Sequence, residues 1–224
     1  MKSGIWHALE FVSYRSGLAI QDRVADECAR GLRPDTLLLL EHPPTITLGR
    51  RASGADVLWD AERLGRSGIA VERVGRGGGA TLHVPGQLVG YPIVRLAHGG
   101  RAVRAFVAGL EALLLDVARS FGVRADRRAG QPGVWVGDRK LASIGIEVRH
   151  GISRHGFALN VDVELALFRA IVPCGVPGLE MTDLSRETGA TIRIAEATDV
   201  LVRAWRARFG TMEEETRHEL EAAR

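Results

Sequence analysis

The chain has 224 residues, 46% of them hydrophobic and 25% charged, with 30 basic against 27 acidic side chains and a formal net charge of +3. That length and balance fit one globular domain able to bury a full core, and exclude a disordered tail, a fibre and a disulfide-stapled miniprotein. Apolar runs such as Leu37–Leu40 fall far short of the ~20 residues that cross a bilayer, and a charge of +3 is too small to point to nucleic acid. Two cysteines and a start without a signal-peptide pattern make the cytoplasm the expected compartment.

Residues 5–14 read as a strand, and 17–30 as a helix stopped by Gly31 just past its end. Residues 36–41 form a short apolar strand, broken by His42-Pro43-Pro44 before extended structure resumes at 45–48. A short helix is expected at 59–65 and a strand at 69–74; past a glycine-rich turn, 81–83 and 87–96 are extended. Residues 101–121 carry the clearest helical spacing, with Val103, Phe106, Val107, Leu110, Leu113, Leu114 and Val117 stepping by three and four. Strands are expected at 134–136, 140–149 and 156–163, a short helix at 165–171 and a longer one at 194–209. The glutamate-rich end, 212–224, reads as a surface helix or a frayed tail. No repeat or linker divides the chain, so residues 1–224 read as one domain. Strands arriving in runs between a few helices indicate an α+β fold around a mixed sheet.

Gly75-Arg76-Gly77-Gly78-Gly79-Ala80 matches a dinucleotide-binding pattern, but that pattern works by opening a helix onto a pyrophosphate. Here Thr81-Leu82-His83-Val84-Pro85-Gly86 follows, extended and then broken by proline. The ribose-binding acid is missing too, because no Asp or Glu lies between Arg73 and Leu110, and no P-loop ending is present. Two readings stay open: a tight turn, or a nest of backbone N–H groups beside Arg76 for a carboxylate, phosphate or oxyanion. The acid-free stretch also carries Arg73, Arg95, Arg101 and Arg104, which suit an anionic ligand or an acidic protein, or merely solvate a surface.

Cysteines mostly behave as small hydrophobes inside apolar elements, as Cys28 does on its helix. Cys174 differs: Pro173 and Gly175 hold it on a constrained turn, which presents it as a candidate nucleophile. A nucleophilic thiol needs a proton acceptor. His83, His150 and His155 are available, and so is Lys140, the only lysine besides Lys2. A preference for arginine codons explains the rarity of lysine but not its survival at 140. Buried lysine can give up a proton near neutral pH, whereas arginine cannot. Spacing does not choose among these partners. No Cys/His grouping has zinc-ligand spacing, so no metal is expected, and His42 reads as a turn residue.

With these residues in hand, the chain resembles the octanoyltransferases of lipoate biosynthesis. The blocks run in order: Glu41-His42-Pro43-Pro44, Arg76-Gly77-Gly78-Gly79-Ala80-Thr81-Leu82-His83, Pro85-Gly86-Gln87-Leu88 with Tyr91-Pro92-Ile93, and Gly133-Val134-Trp135-Val136. Lys140-Leu141-Ala142-Ser143-Ile144-Gly145, His155-Gly156-Phe157-Ala158-Leu159-Asn160 and Pro173-Cys174-Gly175 complete the series. The resemblance implies a biotin/lipoate-protein ligase catalytic-domain fold, a central mixed β-sheet flanked by helices with the site in a cleft on it. It implies that Cys174 attacks the thioester of octanoyl-acyl-carrier protein. Lys140 would favour the thiolate and then act as base on the acceptor amine, with no cofactor. The acceptor would be a lysine of lipoyl domains in 2-oxoacid dehydrogenases and glycine cleavage H protein, served by a monomer. Substrate contact carries over to Arg76, Gly77, Gly78, Gly79, Ala80, Thr81, Leu82, His83, Ser143, Ile144, Gly145, Gly156, Phe157 and Ala158. Amides in 77–79 and 143–145 are the expected carbonyl and oxyanion donors.

Leu82 and Val84 depart from the family, which usually has an aromatic residue before the histidine and glycine after it. Three rival readings remain. An ATP-dependent lipoate-protein ligase of the same fold would not need Cys174. A basic nucleic-acid binder would need more exposed aromatics than Tyr91 and Phe106 supply. A cysteine hydrolase would need a recognisable signature around Cys174, and none is present.

Overall fold

The computed structural model describes residues 4–97 and 99–216. Strand β1 (Gly4–Phe11) stops short of Tyr14 because Ser13 caps helix α1 (Tyr14–Ala29), its hydroxyl accepting from the Ser16 amide. Gly31, at φ +74°, follows the end of that helix as expected. The chain continues through β2 (Thr36–Glu41), β3 (Thr45–Leu48), α2 (Ala61–Arg66), β4 (Ala70–Arg73), β5 (Ala80–His83) and β6 (Gln87–Ile93). Helix α3 (Gly100–Ser120) precedes a run of strands, β7 (Asp126–Arg128), β8 (Gln131–Val136), β9 (Arg139–Arg149) and β10 (Ile152–Asn160). Then come α4 (Leu184–Thr188), α5 (Ile194–Phe209) and β11 (Met212–Glu214). The short helix expected at 165–171 is a 3₁₀ turn, Leu165–Ala170.

Leu37–Leu40 on β2 explains the layering. Successive strand residues face opposite sides, so a run with no polar member needs apolar cover on both faces. Leu37 and Leu39 pack with Phe106, Leu110 and Leu201 beneath α3 and α5. Leu38 and Leu40 pack with Val24 and Cys28 beneath α1. The large sheet runs β11-β1-β2-β6-β10-β9-β8-β7, with β1 parallel to both β2 and β11 and the other pairs antiparallel. A second sheet, β4-β3-β5, has its own core around Ile46, Leu82 and Phe168. The architecture is α+β, a mixed sheet flanked by helices.

The end of the chain departs from the expected helix or frayed tail. Met212 is buried and pairs with Gly4, adding an edge strand parallel to β1. Beyond it the Glu215 carboxylate accepts from Arg33 Nη1 at 2.7 Å and lies 2.9 Å from His7 Nε2. Residues 217–224 of the expected tail lie outside the described residues. Strand β10 starts earlier than expected because His150 and Gly151, both at positive φ, close a two-residue hairpin turn between β9 and β10. Among the described residues no helix is long and apolar enough to cross a membrane.

Candidate functional site

The two sheets meet where β9 loses its neighbour. Strand β8 pairs with β9 only as far as Gly133 opposite Ser143. Past that point the glycine loop takes the free edge, with the Gly77 amide donating to the Ile146 carbonyl at 3.0 Å. The Cys174 turn lies on the other side of this loop. Its amide donates to the Ala80 carbonyl at 2.9 Å, and Pro173 bridges to Ala80. A Cβ on Gly79 would stand 2.9 Å from the Cys174 carbonyl carbon, so only glycine permits that approach. Cys174 sits at φ +59°, a left-handed conformation that costs a non-glycine residue ~1–3 kcal/mol and here turns the thiol into the cleft.

Lys140 enters from the start of β9. Its side chain is buried, and Nζ donates to Cys174 Sγ at 3.2 Å. The Trp135 ring centroid lies 4.9 Å from the ammonium. The segment after the cysteine turn clamps the lysine backbone: its amide donates to the Glu180 carbonyl at 2.9 Å, and its carbonyl accepts from Thr182 at 3.0 Å. Gly133 makes room for the side chain, since a Cβ there would fall 2.6 Å from Lys140 Cε, at φ +135°. Gly133→Ala is therefore expected to displace the lysine. Activity should fall more than ~10-fold and stability by ~1–3 kcal/mol, measured by initial rates and urea unfolding. Wild-type rates in that variant would show that the lysine need not stay in this slot.

Among the described residues none of the three candidate histidines hydrogen-bonds the thiol, although His83 and His155 share the cleft with it. His150 is exposed at the hairpin tip. His83 Nδ1 lies 2.9 Å from Gln87 Oε1. Because Gln87 Nε2 donates to the Leu82 carbonyl and to Asn160 Oδ1, its Oε1 is the acceptor and the His83 proton sits on Nδ1. His42 stands in the turn between β2 and β3 as expected, but its side chain is buried: its Nδ1–H donates to the Val12 carbonyl at 2.6 Å, and its Nε2 accepts from the Tyr91 hydroxyl at 2.6 Å.

Two chambers open on either side of Cys174. The narrower, about 460 Å³, is lined by Arg76, Gly78, Gly79, Ala80, Thr81 and His83 on one wall and by Ser143, Ile144, Gly145, Gly156, Phe157 and Ala158 on the other. Tyr14, Tyr91 and His155 also line it. The wider, about 760 Å³, is lined by Lys140, Trp135, Gly77, Arg51 and the Gly130–Gln131–Pro132 corner. Of the residues expected to contact substrate, only Leu82 lines neither; it is buried in the core of the small sheet. Tyr14, Tyr91, His155 and Arg51 were not among them, although Tyr91 and His155 stand inside the quoted blocks.

Burial governs the electrostatics of the narrow chamber. Desolvation pushes His42 down to about 4, His155 to about 3 and His83 well below the ordinary value, while Tyr14 rises to about 12 and Tyr91 well above the usual phenol. These groups are neutral at pH 7. The unfolded chain protonates its histidines near 6.5, so unfolding takes up protons below that pH. The stability held by His42 and His155 is complete above about pH 6.5 and is lost as pH falls toward 4, by up to ~1.4 kcal/mol per histidine per pH unit. Urea unfolding at about pH 7.5 and about pH 5 should therefore differ by several kcal/mol. Equal stabilities would mean these rings reach water in the folded state.

Arg76 is the charged exception. It is buried, its Nη2 donates to the Thr47 carbonyl at 2.6 Å and hydroxyl at 2.8 Å, and its Nη1 donates to the Gly77 carbonyl at 3.1 Å. Among the described residues no carboxylate pairs with it, and it lines the narrow chamber together with Cys174. The Gly78 and Gly79 carbonyls accept from the Arg51 and Gly49 amides, away from the cleft. Their own amides have no protein acceptor among the described residues, which suits them to an oxyanion. Ser143 and Gly145 instead pair with Ala158 and Gly156 in the sheet. The acid-free arginines do not form one surface. Arg95 donates to the Cys28 and Ala29 carbonyls at the end of α1, and Arg73 leans on the Ala52 carbonyl at 3.5 Å.

Comparison with known proteins follows the same lines. Residues 13–206 match the lipoyl protein ligase A/B catalytic domain. An octanoyltransferase of Geobacter sulfurreducens is 46% identical over 189 residues, 84% of this chain and 77% of its own length. One from Roseiflexus is 44% identical over 201 residues, 88% of this chain and 83% of its own length. Among solved structures, a lipoate-protein ligase A bound with ATP shares the fold at a TM-score of 0.80 and 17% identity, over 98% of this chain and 91% of that one. A bi-partite lipoate protein ligase from Thermoplasma acidophilum does so at 0.75 and 18%, over 99% and 89%. The structural likenesses carry the fold alone; the sequence likenesses, extending over most of both chains, place this chain in the lipoyl protein ligase A/B catalytic-domain family, on its octanoyltransferase branch.

Proposed function

We propose that the protein moves an octanoyl group from a carrier-protein thioester to a lysine of a lipoyl domain, through a thioester on Cys174. The observation that carries this reading is the 3.2 Å contact between Lys140 Nζ and Cys174 Sγ, where the two chambers meet. The Cys174 thiolate attacks the donor carbonyl, with Lys140 holding the thiol proton as an ammonium. The carbon–sulfur bond to the carrier then breaks, and the departing sulfur takes that proton from Lys140. The acyl chain occupies the narrow chamber, and its oxyanion faces the Gly78 and Gly79 amides.

In the second half, the neutral amine of the acceptor lysine attacks the Cys174 thioester and gives its surplus proton to Lys140. The Cys174 carbon–sulfur bond breaks, an amide is released, and the starting thiolate–ammonium pair is restored. Exchange of one thioester for another is close to level, and aminolysis to the amide runs downhill, so no nucleotide is consumed. Both cysteines are free thiols, in keeping with a cytoplasmic reaction on carrier protein and on lipoyl domains of 2-oxoacid dehydrogenases or glycine cleavage H protein.

Intact mass after mixing with octanoyl-carrier protein tests the reading. A single octanoyl adduct that a lipoyl domain then removes is the expected result, without ATP or magnesium. No adduct, together with ATP-dependent modification of the lipoyl domain from free octanoate, would replace this reading with a ligase.

A further inference from the structure

We infer that Arg50 and Arg51 recognise a carboxylate standing beside the acceptor lysine, and so select the acceptor protein in the second half of the reaction. The inference rests on the transferase reading above. Both arginines are exposed, yet their backbone is fixed: the Arg50 amide donates to the Arg76 carbonyl and the Arg51 amide to the Gly78 carbonyl, each at 3.0 Å. They are strapped to the same glycine loop that receives Cys174. Arg15, Arg33, Arg66, Arg128, Arg139 and Arg193 all pair with carboxylates. The side chains of Arg50 and Arg51 have no hydrogen-bond or ion-pair partner among the described residues. Arg51 lines the wide chamber with Lys140 and Cys174. Arg50 stands beside it in the chain, held to the glycine loop through the Arg76 carbonyl. One unpaired cation therefore lines the chamber beside the nucleophile, with a second next to it in the chain.

Reach decides which partner meets them. A carrier protein presents its thioester on a pantetheine arm much longer than any side chain, so its own surface stays far from Cys174. A lysine has only four methylenes between backbone and amine. The acceptor must bring its backbone, and the residues next to the target lysine, to the mouth where Arg51 stands. It also brings an amine toward a mouth where the exposed Arg50 and Arg51 stand unpaired. A carboxylate beside the target lysine offsets that repulsion and fixes the approach.

The two half-reactions separate this inference from the reading beneath it. Adduct formation from octanoyl-carrier protein and transfer from the preformed acyl-enzyme to a lipoyl domain are timed independently for wild type and for Arg51→Glu, alone and with Arg50→Glu. The expected result is a rise of about tenfold or more in KM for the lipoyl domain, with adduct formation falling by a much smaller factor. Replacing the carboxylate nearest the target lysine by arginine should restore transfer by the charge-reversed enzyme. Acylation weakened as much as transfer would assign the arginines to the carrier and overturn the inference; so would indifference of both steps. Absence of any adduct in the wild type would instead sink the transferase reading itself.

Discussion

Cys174→Ser is expected to form no octanoyl adduct and to lower transfer by ~10³-fold or more, because a hydroxyl holds its proton far more tightly than a thiol and is a poorer acyl acceptor from a thioester. The lysine 3.2 Å away can hold a thiol proton but not draw one readily from serine. Cys28→Ser is the matching control. That thiol is buried on α1, its Sγ lies 3.1 Å from the Pro34 carbonyl, and burial pushes its pKa up to about 11. It should lose ~1 kcal/mol or so of stability and keep its transfer rate. Intact mass and initial rates on both variants decide the matter, and equal losses would dismiss Cys174 as the single nucleophile.

Lys140→Arg should be nearly inactive, losing ~10²-fold or more in both half-reactions, although the positive charge stays. Arginine keeps its proton at neutral pH, so it can neither protonate the departing carrier sulfur nor relieve the attacking amine. The slot also opposes it: Gly133 is cut back to leave room for Lys140 Cε, and Trp135 covers the ammonium. Single-turnover rates of acylation and deacylation read the two steps apart. An arginine variant that keeps a tenth or more of the wild-type rate would reduce Lys140 to an electrostatic role. His83, which shares the cleft with Cys174 and which burial holds neutral, would then become the better candidate for the base.

Much of this molecule follows from short-range chemistry. The helix at 101–121 shows in apolar steps of three and four, and residues 36–41 read as an apolar strand, because period alone decides which side chains can share a face. The turn around Cys174 is legible as well: proline and glycine restrict a backbone wherever they stand. Lys140 stood out by composition and by resemblance, yet spacing left it level with three histidines, since residues 34 positions apart carry no record of their distance. Folding puts Lys140 against Sγ and His150 at a hairpin tip, and leaves His83 and His155 in the same cleft.

What sequence could not supply depends on contacts between distant segments. Met212–Glu214 becomes a strand only because the edge of β1 is there to accept it; alone, its glutamates favour helix or coil. His42, followed by two prolines, has the local marks of a turn, and it is the carbonyl of Val12 and the hydroxyl of Tyr91 that draw it inside. The acid-free arginines look like one surface in a linear chain, but Arg76 is buried in the cleft and Arg95 caps α1. Local pattern sets which elements form and which faces are apolar. Which polar groups lose water, which charges stay unpaired and which side chains meet are settled when the sheets close on each other, because burial and distance are properties of the packed whole.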